Sequence, residues 1–153
     1  MQDTVQITDR LTVAMFAPEA QHIKQAAHEG FRALVNMQTE DEHSTLKMEP
    51  QEEGRKAEEA GLTYLHHPVD GKALSDHTVD AFRRKIATLP APVLVHCASG
   101  KRSGAFVVMH IACDAGMSGT EAMEMAEEKG VGLNDPDLKK FVTQYIERHN
   151  KAE

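Results

Sequence analysis

The sequence predicts a single α/β domain with a mainly parallel central sheet flanked by helices. Three observations predict it. Short apolar runs of strand character alternate with longer stretches of helical periodicity. Glycine or proline marks most of the changes between them. The chain has 153 residues, 41% hydrophobic and 27% charged, a size and balance that fit one sizeable core. With no repeat, low-complexity tract or linker, residues 1–153 are expected to form one compact domain. Sheets of this kind place their sites at the carboxyl ends of strands.

Each element follows in order. Residues 5–7 and 11–14 read as two short strands around the turn Thr8-Asp9-Arg10. Residues 18–28 read as a helix with Pro18 in its first turn and Gly30 as its stop. Residues 31–36 read as a buried strand. Residues 37–49 are polar and acidic and read as loop. The run Glu40-Asp41-Glu42 reads as a solvated segment that could border a site and tune substrate choice. Residues 50–60 form a second helix ended by Gly61, and residues 62–67 the next strand, stopped by Pro68. Ser75 caps a helix running to Leu89, with Val79, Phe82, Ile86 and Leu89 at helical spacing. Pro90-Ala91-Pro92 breaks it. Residues 93–96 are a short buried strand. Helices follow over 103–115, 118–129 and, with Asn134 or Asp135 as cap and Pro136 at the start, to about His149.

Composition excludes some functions. The net charge of −7 argues against a general nucleic-acid binder, which needs a basic face. One electropositive loop in an acidic protein can still take an anionic substrate. No apolar run approaches membrane-spanning length, so no membrane partner is expected. Met1-Gln2-Asp3-Thr4 has neither the basic start nor the apolar stretch of a signal peptide. The two cysteines, Cys97 and Cys113, make no disulfide framework, and a reducing cytoplasm is the expected location.

One segment carries chemistry: Val93-Leu94-Val95-His96-Cys97-Ala98-Ser99-Gly100-Lys101-Arg102-Ser103-Gly104. A buried strand delivers Cys97 to its carboxyl end, a turn follows, and a helix starts. The amides of Ala98, Ser99, Gly100, Lys101 and Ser103 can converge on one point, and the helix adds its positive dipole end. That environment stabilises a thiolate. Gly100 and Gly104 permit the positive φ or close approach the turn needs. Arg102 can clamp an oxyanion with its planar fork, as a lysine could not. Ser103 can donate to the sulfur, helping it as attacker and as leaving group. His96 is read as ordering the loop by hydrogen bonding, with a plain core histidine as the other reading.

The remaining features have plainer readings. His66-His67 followed by Asp70 invites a metal, but neighbouring strand residues point to opposite faces, so no metal site is expected. Cys113 reads as a core residue, with a resolving thiol as the alternative. Met117, Met123, Met125 and Val131 read as core.

His96-Cys97 with Arg102-Ser103-Gly104 resembles the signature of the cysteine-dependent protein tyrosine and dual-specificity phosphatases. Four residues separate Cys97 from Arg102, where that signature has five; the spacing resembles the rhodanese loop. One bacterial family joins the two features, the beta-lactamase-hydrolase-like, phosphatase-like domain. The chain resembles it in Gly30-Phe31, the strand-ending Asn36, Ala60 to Tyr64, Pro68 to Gly71, and Cys97 to Ser103. It departs at Met15-Phe16, where the family shows Gly-Gln, and at Met37-Gln38, where an arginine is common. The resemblance implies a compact phosphatase-like α/β fold and a phosphocysteine intermediate on Cys97. Asp70, in Pro68-Val69-Asp70-Gly71, resembles the general acid of the phosphatase acid loop, and Asp76 is second. A turn residue before Gly71 is the other reading of Asp70. Sulfur transfer through a persulfide on Cys97 is the alternative chemistry, because a loop with one fewer amide is tighter and suits a single sulfur. An anion-binding module without catalysis is the third reading. The expected partner is an anionic small molecule or a phosphorylated substrate, and no cofactor is called for.

Overall fold

The structure, a computed structural model, describes residues 1–149. Its strands are β1 (Thr4–Gln6), β2 (Leu11–Ala14), β3 (Ala33–Asn36), β4 (Thr63–His66) and β5 (Val93–His96). Its helices are α1 (Ala20–His28), α2 (Pro50–Glu59), α3 (Asp76–Ile86), α4 (Lys101–Ala115), α5 (Gly119–Lys129) and α6 (Pro136–His149). Chain order and element type match the sequence expectation throughout. The five strands lie in the order β1-β2-β5-β3-β4. β1 pairs antiparallel with β2; every other pairing is parallel. The strand that carries the chemistry is therefore central, with β2 and β3 on its two sides.

Period-two alternation along the strands explains the two cores. Val13, Val35, Val93 and Val95 join the larger cluster, which α3, α4, α5 and α6 complete with Phe82, Phe106, Ala122 and Tyr145. Phe82 and Phe106 meet edge to face at 5.4 Å between ring centroids. Ala14, Leu34 and Leu94 face the other way, onto Ile23 and Ala26 of α1 and Ala57 of α2. The same parity sends Asn36 and His96 toward α2. Cys97, one residue further, belongs to the larger core.

Helix starts follow their caps. Ser75 accepts from the Thr78 amide, and Ser118 with Glu121 closes a capping box. α4 begins at Lys101, two residues before its expected start, because Gly100 takes a left-handed φ of 96° and lets the chain turn straight into the helix. The loop between Cys97 and the helix is thereby reduced to Ala98, Ser99 and Gly100. Met117, Met123 and Met125 pack against the larger core, as their spacing predicted. Among the described residues, no helix is long and apolar enough to cross a membrane.

Candidate active site

The carboxyl end of β5 and the amino end of α4 hold the predicted residues together. Cys97 is only 1% exposed. The Gly100 amide points at its sulfur, N to Sγ 3.2 Å, and Ser103 Oγ lies 3.6 Å from it. Burial pushes the thiol pKa up. Hydrogen bonds from Ser103 and the Ser99 amide, together with the Arg102 charge, outweigh burial and hold it below the ordinary value. A Cβ at position 100 would lie 2.7 Å from Met15 Sδ, on a backbone that disfavours any side chain. Met15, one of the departures from the family pattern, thus fixes Gly100 from the β2 side.

Arg102 is half-buried and heavily engaged. Its two terminal nitrogens donate to the two oxygens of Glu42, at 2.5 and 2.9 Å. Nη1 also donates to the Val69 carbonyl at 2.7 Å and lies 3.4 Å from that of Met37. Burial pushes the Glu42 carboxyl up, but hydrogen bonds from Arg102 and the Thr39 amide and the Arg102 charge bring it down to about 2. Gln38, the second departure, is 1% exposed; its amide nitrogen reaches Glu42 Oε2 at 3.5 Å and the Thr45 carbonyl at 3.4 Å. The acidic run was expected to be solvated. That holds for Glu40 and Asp41, which are exposed, but Glu42 turns inward onto Arg102.

On the opposite side of the loop, His96 is fully buried. Its Nδ1 lies 3.0 Å from the Cys97 carbonyl and its Nε2 2.6 Å from Glu53 of α2. The loop-ordering reading of His96 thus has a geometry behind it.

Asp70 is exposed, and its carboxylate accepts from the Lys72 amide at 2.9 Å. Its neighbours border Arg102: the Val69 carbonyl binds Nη1, and a Cβ on Gly71 would sit 3.8 Å from Arg102 Cδ. Asp76 lies elsewhere. Both its oxygens are held by Arg148 of α6, at 3.0 and 2.7 Å. His66 and His67 diverge: His66 Nε2 meets the Gln38 carbonyl at 2.6 Å, and His67 Nε2 the Thr78 carbonyl at 3.2 Å. Cys113 packs at the edge of the larger core among Arg83, Asp114 and Asp80, and burial raises its pKa, the environment of a packed thiol.

Sequence reading missed Glu53 as a site residue and placed Glu42 only within a solvated run that could border the site. Nothing local marks the pairing of Glu42 with Arg102, 60 residues away. Glu53 did carry a signal. The buried residues of α2 are Pro50, Glu53, Gly54 and Ala57, so helical spacing alone puts a carboxylate on the buried face.

The five-stranded mixed sheet, with the strand–cysteine–loop–helix unit at its centre, superposes on solved phosphatase structures. Tk-PTP in its active form superposes with a TM-score of 0.80 at 24% identity, over 96% of this chain and 97% of that one. A cysteine-to-serine variant of P. aeruginosa TpbA, in complex with pTyr, superposes with a TM-score of 0.67 at 18% identity, over 98% and 83%. These likenesses show the fold. Residues 3–115 match the family model "Beta-lactamase hydrolase-like protein, phosphatase-like domain", and the chain belongs to that family. The "Beta-lactamase hydrolase-like protein" of Xylella fastidiosa (strain Temecula1 / ATCC 700964) is 31% identical over 134 residues. That match covers 84% of this chain but 30% of the Xylella protein, so the chain spans less than a third of that relative's length.

Proposed function

We propose that this domain is a cysteine-dependent phosphatase acting on a phosphorylated or otherwise anionic substrate, with Cys97 as nucleophile. The observation that carries the reading is the buried Cys97 sulfur facing the Gly100 amide at 3.2 Å and the Ser103 hydroxyl at 3.6 Å, surroundings that, with the Arg102 charge, favour the thiolate. Arg102 has five N–H hydrogens. Glu42, Val69 and Met37 occupy its Nη1 side and one hydrogen of Nη2. Nε and the second Nη2 hydrogen carry none of these bonds and form a pair able to span two oxygens of a phosphoryl group, and Arg102 also interacts with Cys97 itself.

In the first step the Cys97 thiolate attacks phosphorus. The bond to the leaving oxygen breaks, and Asp70 gives that oxygen a proton. The loop amides and Arg102 stabilise the charge on the equatorial oxygens. In the second step the Asp70 carboxylate takes a proton from water, the oxygen attacks phosphorus, the S–P bond breaks, and orthophosphate and thiolate are released. Ser103, 3.6 Å from the sulfur, supports it as leaving group. The Val69 and Gly71 contacts to Arg102 favour Asp70 over Asp76, whose carboxylate is committed to Arg148. Asp70→Asn is expected to lower kcat by about 10²–10⁴-fold and to remove the alkaline limb of the pH profile. An unchanged profile would return Asp70 to the role of a turn residue.

One observation favours a second reading, sulfur transfer. The loop between Cys97 and the first helical residue is only Ala98, Ser99 and Gly100, a tight cradle for one added sulfur atom. The thiolate would attack the outer sulfur of thiosulfate and release sulfite. Cyanide would then take that sulfur as thiocyanate and restore the thiolate. Parallel assays with an aryl phosphate and with thiosulfate plus cyanide separate the two. Phosphate release that disappears in Cys97→Ser supports the phosphatase; thiocyanate formation without phosphate release supports sulfur transfer. Activity with neither donor would favour anion binding alone. Lys101, at the start of α4, and Lys72, beside Asp70, are exposed and suit an anionic partner.

A further inference from the structure

Buried Asn36, Glu53 and His96, with half-buried Tyr64, form a polar cluster that ends on the backbone of the nucleophile. The Cys97 carbonyl can only accept, so the 3.0 Å contact requires a hydrogen on His96 Nδ1. The ring is then fixed, and Nε2 meets Glu53 Oε2 at 2.6 Å, with one proton shared between them. The ring cannot rotate or exchange tautomer without losing both bonds. His96 is 0% and Glu53 2% exposed, so water cannot replace either partner. The Tyr64 hydroxyl, beside Glu53, accepts from Asn36 Nδ2 at 3.1 Å. Gly54 makes room for that tyrosine: a Cβ there would lie 2.8 Å from Tyr64 Cδ2.

We propose that Glu53 is a positioning residue for the nucleophile. Through His96 it fixes the carbonyl of Cys97, and with it the peptide plane from which the sulfur and the first loop amides are aimed. The proposal rests on the reading of Cys97 as a thiolate nucleophile and extends it to α2. A purely structural role fits less well. Position 53 lies between Pro50, Gly54 and Ala57 on a buried face, where an apolar side chain would pack without any desolvation of charge. The carboxylate instead meets a ring that touches the nucleophile's backbone.

The test compares Glu53→Ala, Glu53→Gln and the parent protein. Alkylation of Cys97 by iodoacetamide, followed across pH, reads the thiolate without any substrate. In Glu53→Ala the alkylation midpoint is expected to rise by about one pH unit, as the amides lose their aim. With an aryl phosphate, kcat is expected to fall by about tenfold while KM changes little. Glu53→Gln can still donate to Nε2 and keep hydrogen on Nδ1, and is expected to restore most of both. Glu53→Asp keeps the charge but draws the oxygen back by one methylene; it is expected to match the alanine variant and serves if alanine fails to fold. Parental alkylation midpoints in the Ala and Asp variants would overturn the proposal. So would a Gln variant as impaired as Ala. If no variant, parent included, turns over aryl phosphate, the phosphatase reading fails while the alkylation series still decides the role of Glu53.

Discussion

Two carboxylates flank the candidate nucleophile loop, and they are opposites in setting. Glu42 sits in the long connection after β3, with its side chain 19% exposed, and holds the terminal nitrogens of Arg102. Glu53 sits on α2, is 2% exposed, and holds His96. Each meets a cationic or proton-bearing group adjacent in sequence to the loop, but from opposite sides of β5. Only the partly exposed pair is within reach of solvent ions and protons. The buried pair is held by a rigid helix and strand. The difference teaches that one side of the loop is open to solvent conditions and the other is insulated from them.

If Glu42 acts only by orienting Arg102, removing the arginine must cost far more than removing the carboxylate. Arg102→Lys, which keeps the charge and loses the fork, is expected to lower kcat on an aryl phosphate by about 10²–10³-fold. Glu42→Gln keeps a hydrogen-bond acceptor and is expected to lower kcat/KM by about tenfold. Steady-state kinetics on both variants checks the ranking. A Glu42→Gln enzyme faster than the parent would mean that Glu42 competes with substrate for Arg102 instead of aligning it.

The smallest expected effect is on stability in acid. The folded-state pKa of Glu42 is about 2, below the ordinary 4.5 of the unfolded chain. Its contribution is therefore complete above about pH 4.5 and is lost as pH falls toward 2. The parent should lose more urea stability across that window than Glu42→Gln does. Equal slopes for the two proteins would show that the pair adds nothing to the fold.

Most of the fold was legible because its signals are local. Prolines at positions 50 and 136, Ser75 and Ser118 mark helix starts, and Gly30, Gly61, Gly116 and Gly130, all with positive φ, follow helix ends. His96 shares parity with Leu94 and so faces α2, a consequence of strand alternation that the sequence reading did not draw. The Cys97, Arg102 and Ser103 cluster was legible because it lies within seven consecutive residues. What escaped was long-range pairing. Glu42 reaches Arg102 across 60 residues, and Glu53 reaches His96 across 43. No periodicity reports which carboxylate a loop arginine will choose. The early start of α4 was also missed. A glycine reads locally as turn, whereas Gly100 at φ 96° is the residue that launches the helix.

The most direct measurement is rapid acid quenching of the protein during turnover of an aryl phosphate, followed by mass analysis of the peptide containing Cys97. A phosphoryl group on Cys97 in the parent, absent together with phosphate release in Cys97→Ser, is the expected result. Phosphate release that persists in Cys97→Ser, or a Cys97 peptide that gains sulfur from thiosulfate and never phosphorus, would contradict it.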